Sequence, residues 1–299
     1  MTKTKYGTLY LIPTPIGNLS DMTYRAVETL KIADIIYAED TRTSGILLKH
    51  YNINTPQKSY HKFNERERCE QIITALQEGK NIAIISDAGT PGISDPSNII
   101  VQEVIQNGME VCALPGATAF VPALVASGFE TERFIFLGFL PKKKKDRERI
   151  LCITGSAGVS PVFKGEKTVI CRRDPCAPSD SIPLIFYESP HRLHDFLKEI
   201  KKYFGNADIS ISREISKIHE TYYRGKLNDI LDNFKDITLK GEFVIVVKPE
   251  SKEINETELI LERYISKYKE KSISEASRLI ALELGIKKNT VYEVLIKCT

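Results

Sequence analysis

The sequence predicts an α/β protein, with two α/β domains followed by a small helical C-terminal module. Three observations carry this. Short apolar runs alternate with helical patterns, two of those runs stop abruptly in glycine/proline-rich turns, and beyond Pro249 a Glu/Lys-rich stretch shows no strand pattern.

The first strand is Thr8 to Ile12, and Pro13-Thr-Pro-Ile-Gly-Asn18 ends it. Helical patterns near 20–31, 42–50, 64–78, 97–107 and 117–126 then alternate with strands near 35–38, 82–86, 110–114 and 134–138. Alternation of this kind implies a mostly parallel sheet covered by helices. Asn64 with Glu67 reads as a capping-box start and Gly79 as that helix's end. This first domain, 1–140, closes near Pro141. A second, smaller α/β domain, 184–250, is expected from a strand ending at Glu188, a helix near 190–204 and strands at 209–213 and 241–247. Between them, 141–183 reads as a linker, because glycine, serine and proline after Cys152 break the helix begun at Lys145. The last stretch, 255–299, reads as helices only. Ser272 with Glu275 caps one helix, Gly285 turns the chain, and Asn289 or Thr290 caps the next. That spacing resembles a helix-turn-helix, and an RNA contact or a packing or dimer module would both fit it.

Two of the turns follow apolar strands directly: Pro13 to Asn18, and Asp87-Ala-Gly-Thr-Pro-Gly-Ile-Ser-Asp-Pro96 after Ile82 to Ser86. Each should open at the carboxyl end of a parallel strand, where open α/β sheets bind ligands. Glycine lets backbone approach a ligand closely and proline fixes loop shape, which suits a nucleotide-like cofactor held by main-chain groups. The alternative is a purely structural strand-to-helix turn. A further small-residue loop, Pro115-Gly-Ala-Thr-Ala119, favours a shared pocket. G-x-G-x-x-G is absent, so the pattern is not that of a dinucleotide fold.

Composition agrees with a cytoplasmic enzyme: 299 residues are 42% hydrophobic and 27% charged, enough for two medium cores. No run is long enough to span a membrane, and the first residues carry no apolar signal region. The six cysteines are scattered, so reduced thiols are expected. Cys171 and Cys176 have no second pair nearby, which argues against a metal site. The net charge of +3 says little about nucleic acid.

Six ordered motifs carry a resemblance: Leu11 to Leu19, Ala38-Glu-Asp-Thr-Arg42, Ser86 to Pro96, Leu114-Pro-Gly-Ala-Thr-Ala119, Phe186-Tyr-Glu-Ser-Pro-His-Arg192 and Ser212-Arg-Glu-Ile-Ser-Lys217. Together they resemble the tetrapyrrole methylase superfamily, and within it the enzymes that 2′-O-methylate a cytidine of 16S rRNA in the 30S subunit. The likeness covers nearly the whole chain except about 151–182, which departs from the family pattern. It implies S-adenosylmethionine folded in a cleft between the two domains, and a homodimer. Carried over by motif, the implied cofactor contacts are Pro15, Ala88, Gly89, Thr90, Ile93, Thr118, Ala119, Glu188 and Gly225.

Methyl transfer to a ribose hydroxyl is an in-line displacement at a sulfonium methyl, so the protein must align the groups and accept one proton. Glu39, Asp40, Asp87, Asp95, Glu188, Glu214 and Glu220 lie near strand ends. Asp40, Glu188 and Glu214 fall inside the resembling motifs and are the candidates for the base or the hydroxyl-orienting group; capping or solvated carboxylates are the alternative. His61 is the next candidate. Arg42, Arg192 and Arg213 could clamp phosphate. Lys142, Lys143, Lys144 and Lys145 open a run to Arg149 with local net charge +4, either a solvated helix start or an RNA-backbone contact.

Two other function classes use parts of this pattern. A methylase of a small tetrapyrrole precursor would need the cofactor cleft but neither the lysine run nor the helical module. A non-enzymatic RNA-binding protein would need the basic surface but not ligand loops at strand ends.

Overall fold

The computed structural model describes residues 6–61, 65–95, 97–155, 159–164, 167–172, 182–250 and 256–298. The first sheet holds β1 (Thr8–Leu11), β2 (Ile35–Ala38), β3 (Gln57–Ser59), β4 (Ile82–Ile85) and β5 (Glu110–Ala113), all parallel, in the order β3-β2-β4-β1-β5. Central β4 reads Ile-Ala-Ile-Ile and is buried throughout, as a parallel strand covered on both faces must be. Helices α1 (Tyr24–Ile32) and α2 (Thr41–His50) contribute Ala26, Leu30 and Leu48 to the cluster on one face; α3 (Glu65–Gln77) and α4 (Asn98–Gln106) contribute Ile72, Leu76, Ile100 and Val104 to that on the other.

The single helix expected over 20–31 is two elements. A 3-10 turn, Leu19–Asp21, is capped by Asn18, and Thr23 then starts α1 by accepting the Ala26 N–H at 3.1 Å. Strand β3 was not anticipated; its three residues are too few to show a period. The Asn64 cap lies outside the described residues.

Helix α5 (Phe120–Ser127) follows β5 but packs on the second sheet, where Ala123 and Leu124 meet Ile185, Val244 and Val246. The second sheet contains β6 (Ile135–Phe139), β9 (Leu184–Glu188), β10 (Asp208–Arg213), β11 (Thr221–Lys226) and β12 (Phe243–Lys248), in the order β11-β10-β12-β9-β6. Only the β6–β9 pair is parallel. Its opposite face buries Leu184, Phe186, Ile209, Ile211, Ile245 and Val247 against α7 (Leu193–Phe204) and α8 (Leu227–Asp232). Successive residues of β9 therefore serve two different cores, the period-two rule at work.

Strand 134–138 was expected to close the first unit. It is instead the edge of the second sheet, because Ile135 and Leu137 pack into the α7 core while Phe136 packs with α5. Periodicity identifies a strand but not its sheet. Edge strand β11 was not anticipated either; Thr-Tyr-Tyr-Arg-Gly-Lys has no alternation of apolar residues. Helix α6 (Lys144–Gly155) runs out of the lysine tract, and the segment expected to be a plain inter-domain loop contains an antiparallel hairpin, β7 (Val159–Lys164) with β8 (Lys167–Arg172).

The C-terminal module is α9 (Glu256–Arg263), a π-helical turn at Tyr264–Tyr268, α10 (Ile273–Leu284) and α11 (Lys288–Cys298), around Ile260, Ala276, Ile280, Leu284, Val291 and Leu295. Ser272 accepts the Glu275 N–H, and Gly285 turns left-handed at φ +67° to end α10. Glu275 itself pairs with Lys271 at 2.7 Å. No described helix is long and apolar enough to cross a membrane. Among the described residues Cys69 and Cys112 are free thiols, and no group of metal-binding side chains occurs; Cys176 lies outside them.

Candidate functional site

The chain leaves β1 toward β2 on one side of the sheet and leaves β4 toward β5 on the other. Adjacent strands whose connections depart in opposite directions open a crevice at their carboxyl ends, the place where α/β sheets bind ligands. Here that crevice lies between the turn after β1 and the turn after β4, with the turn after β5 beside it.

The three turns are laced together. Thr14 and Gly89 exchange backbone hydrogen bonds at 2.9 and 3.0 Å. The Thr14 hydroxyl donates to the Ser86 carbonyl at 2.9 Å, and the Ser86 hydroxyl donates to the Gly89 carbonyl at 3.0 Å. Thr90 Oγ1 donates to the Ala117 carbonyl at 3.0 Å, tying the second turn to the third. Gly89 sits at φ +84°, and a Cβ there would lie 3.5 Å from Ile16 and 3.7 Å from the Ala117 carbonyl. At Gly116 an added Cβ would meet Pro13 at 2.6 Å. Glycine thus lets these turns approach one another closely, leaving main-chain groups to line the crevice, the arrangement by which backbone holds a small molecule. Ala88, Gly89, Thr90, Thr118 and Ala119 all belong to these turns, and Pro15 and Ile93 flank them, Ile93 exposed.

The second domain closes onto this edge through residues that sequence reasoning left without a role. Lys217 lays its aliphatic stem on Gly17, where an added Cβ would stand 2.3 Å from Lys217 Cγ, and its ammonium meets Glu214 at 2.8 Å and Glu242 at 3.0 Å. Ser216 donates to Asp21 of the first domain. Tyr187, from β9, accepts the Phe120 N–H at the start of α5, and burial pushes its phenol up to about 12. Gly138 of β6 lies against Ser94, since a Cβ there would be 3.4 Å from Ser94 Oγ. Only tertiary contact gives these side chains a place at the cleft.

The three candidate bases differ sharply. Asp40 is the N-cap of α2: it accepts the Arg42 N–H at 2.8 Å and pairs with the Arg42 guanidinium at 2.6 Å, which holds its carboxyl down at about 2. Glu214 stands at φ +53°; burial alone would raise it, but hydrogen bonds from Lys217 and from the Glu242 N–H hold it below the usual range. Both expected bases are thus spent on structure, and a depressed carboxylate is a weak proton acceptor. Glu188 ends β9 almost fully buried. Its Oε1 accepts the Ser189 N–H at 2.7 Å, while Oε2 lies 3.3 Å from Arg192 without forming a hydrogen bond. Glu39 and Asp87 stand at the carboxyl ends of β2 and β4; burial raises both, and repulsion from Asp87 and Asp95 raises Glu39 further. His61 follows β3, at the far edge of the first sheet.

The structure separates the remaining expectations. Gly225 pairs with Ile209 on β11, four residues along from the Thr221–Arg213 pair at the rim, or roughly 13 Å of strand. An added Cβ at Gly225 would meet nothing within 4 Å. Arg213 is buried, with Nε donating to the Lys240 carbonyl at 2.7 Å and Nη1 to the His219 carbonyl at 3.1 Å, which ties it to the protein's own backbone. Arg192 bridges Glu188 and the Leu140 carbonyl at the cleft rim, and Arg42 is exposed beside Asp40. Lys142 to Lys145 are exposed. Arg147 mounts their segment: it donates to the Pro141 and Lys142 carbonyls and pairs with Glu199 of α7 at 2.5 Å.

Residues 8–231 match the family model described as Tetrapyrrole (Corrin/Porphyrin) Methylases. The chain is 40% identical over 293 residues to Ribosomal RNA small subunit methyltransferase I of Synechocystis sp., covering 96% of this chain and 97% of that protein. It is 37% identical over 299 residues to the protein of the same name from Bacillus subtilis, covering 97% and 94%. Among solved structures it resembles a diphthine synthase (TM-score 0.59, 12% identity, 81% of this chain and 90% of that one). It also resembles a cobalt precorrin-4 methyltransferase (TM-score 0.54, 14% identity, 81% and 94%). At such identities these two speak for the fold alone.

Proposed function

Since the chain belongs to the tetrapyrrole methylases, and within them to the ribosomal RNA small subunit methyltransferase I proteins, we propose that it methylates the 2′-hydroxyl of a cytidine in 16S rRNA. The substrate form proposed is the 30S subunit, the compartment the cytoplasm, and the working unit a pair of identical chains. S-adenosylmethionine, the cofactor of the family, supplies an electrophilic methyl on a sulfonium sulfur.

Alignment and one proton are left to the chain. The turns at Ala88–Thr90 and Gly116–Ala119 hold the cofactor by backbone, and Glu39 and Asp87 lay negative charge along a rim that would face a cation. Glu188 receives or orients the proton of the ribose hydroxyl at Oε2, with Arg192 keeping that carboxylate turned to the rim. Lys142 to Lys145, raised on the Arg147–Glu199 pair, meet the RNA phosphates.

The observation that supports this reading most is the backbone-lined crevice at the β1/β4 ends with a buried carboxylate oxygen lacking a hydrogen bond nearby. Tritiated methyl transfer to 30S subunits, naked 16S rRNA and uroporphyrinogen tests it. Alkali-resistant label on a cytidine of 30S RNA is expected. Label on uroporphyrinogen alone would return the chain to tetrapyrrole chemistry.

A further inference from the structure

Five aromatic rings follow the edge strand of the second sheet to the cleft rim. Phe120 stacks on Phe136 with centroids 4.6 Å apart and lies 6.1 Å from Phe134; Tyr187 meets Phe136 edge-on at 5.1 Å and Phe139 at 5.4 Å. The inner rings pack against α5, but Phe139 is 58% exposed. Its neighbours set it apart from an ordinary surface phenylalanine. It pairs in register with Tyr187, the residue before Glu188. Gly138, just before it, lies against Ser94 of the turn after β4. The Leu140 carbonyl, just after it, receives Arg192, and the four lysines begin at Lys142. The most exposed of these rings, Phe139, therefore stands among the cofactor turn, the candidate proton acceptor and the basic run.

Water is a poor partner for such a ring, and an apolar protein partner would leave the lysines uncompensated. An unpaired nucleotide answers both, with a base for the ring and phosphates for the ammonium groups. We propose that Phe139 is the stacking surface for an RNA base taken out of its helix, holding the attached ribose at the cleft. The inference rests on the methyl-transfer reading above.

The test is single-turnover methylation of 30S subunits lacking the methyl group by the full-length protein and by Phe139→Ala, Phe139→Leu, Phe139→Tyr and Phe139→Trp. Thermal stability, cofactor affinity and elution volume are measured alongside. Loss of one stacked base should weaken productive RNA binding roughly five- to a hundred-fold in Phe139→Ala. Phe139→Leu should be similarly impaired, and the two aromatic variants should keep near-parental activity, all four with unchanged cofactor affinity. Parental activity in Phe139→Leu would mean that an apolar cover suffices, and the assignment fails. A changed elution volume in Phe139→Ala with full methylation would make the ring a contact between copies, and the assignment again fails. If the parent labels no 30S RNA, the methyl-transfer reading itself falls, and this inference with it.

Discussion

Thr14 and Gly89 exchange two backbone hydrogen bonds across the mouths of neighbouring parallel strands. Strands β1 and β4 run in the same direction, yet the turns beyond them meet as an antiparallel bridge, so one turn has reversed direction relative to the other. The geometry depends on Gly89 at φ +84°, a left-handed position that a branched side chain adopts only with strain.

Substitution at Gly89 should grade with side-chain shape. Alanine meets only ordinary contacts at 3.5 and 3.7 Å and carries mainly the backbone cost, about 1–2 kcal/mol; valine adds branching into the lining. Calorimetry is expected to rank S-adenosylmethionine affinity Gly above Ala above Val, with Gly89→Val at least roughly ten-fold weaker in a protein that still melts cooperatively. Equal affinity in Gly89→Val would remove the turn from the cofactor site.

The carboxylates should separate in rate. Glu188→Gln keeps shape but loses basicity, and single-turnover methylation at saturating cofactor should fall on the order of 10²–10⁴-fold. Asp40→Asn and Glu214→Gln should stay within a few-fold. Should all three remain near the parent, alignment alone carries the chemistry.

Asp40 also predicts a pH response. Its folded-state pKa, about 2, lies below its unfolded value, so its contribution is fully present above about pH 4 and is lost as pH falls toward 2. Acid titration of stability in Asp40→Asn should therefore be flatter than the parent's between about pH 4 and 2, with the two profiles parallel near neutrality.

The basic residues fall into two groups. Changing Lys142 to Lys145 to Gln should weaken 30S binding and reduce its salt slope by about 0.7–0.9 for each phosphate no longer neutralised, leaving cofactor affinity alone. An unchanged slope would return these lysines to a solvated helix start.

Arg213→Ala should behave differently. It leaves the Lys240 and His219 carbonyls without their charged donor, so stability should fall on the order of 2–4 kcal/mol in chemical denaturation with no change in salt slope. A slope change without destabilisation would restore Arg213 to the RNA surface.

The sequence by itself determined the elements whose signals are local. Apolar runs at 8–12, 35–38 and 82–86 became parallel strands, and the glycine/proline turns after the first and third came to line a switch-point crevice, because burial on both faces and turn chemistry are written in consecutive residues. The same holds for Ser272 and Gly285, which bound α10 through their own side chain and φ. Tertiary structure alone decided which sheet took strand 135–139 and which sheet α5 covered, since both choices depend on cores built by residues far along the chain. It also decided the roles of like residues in like motifs. Asp40, Glu188 and Glu214 are all acids near strand ends, but Asp40 caps α2 and pairs with Arg42, Lys217 and a backbone N–H occupy Glu214, and Glu188, beside Arg192, is buried with one oxygen lacking a hydrogen bond. Arg42, Lys217 and Arg192 lie within four residues of the acids they face; what folding alone adds is the Glu242 N–H at Glu214 and the burial of Glu188, neither of which is encoded in the local stretch of chain.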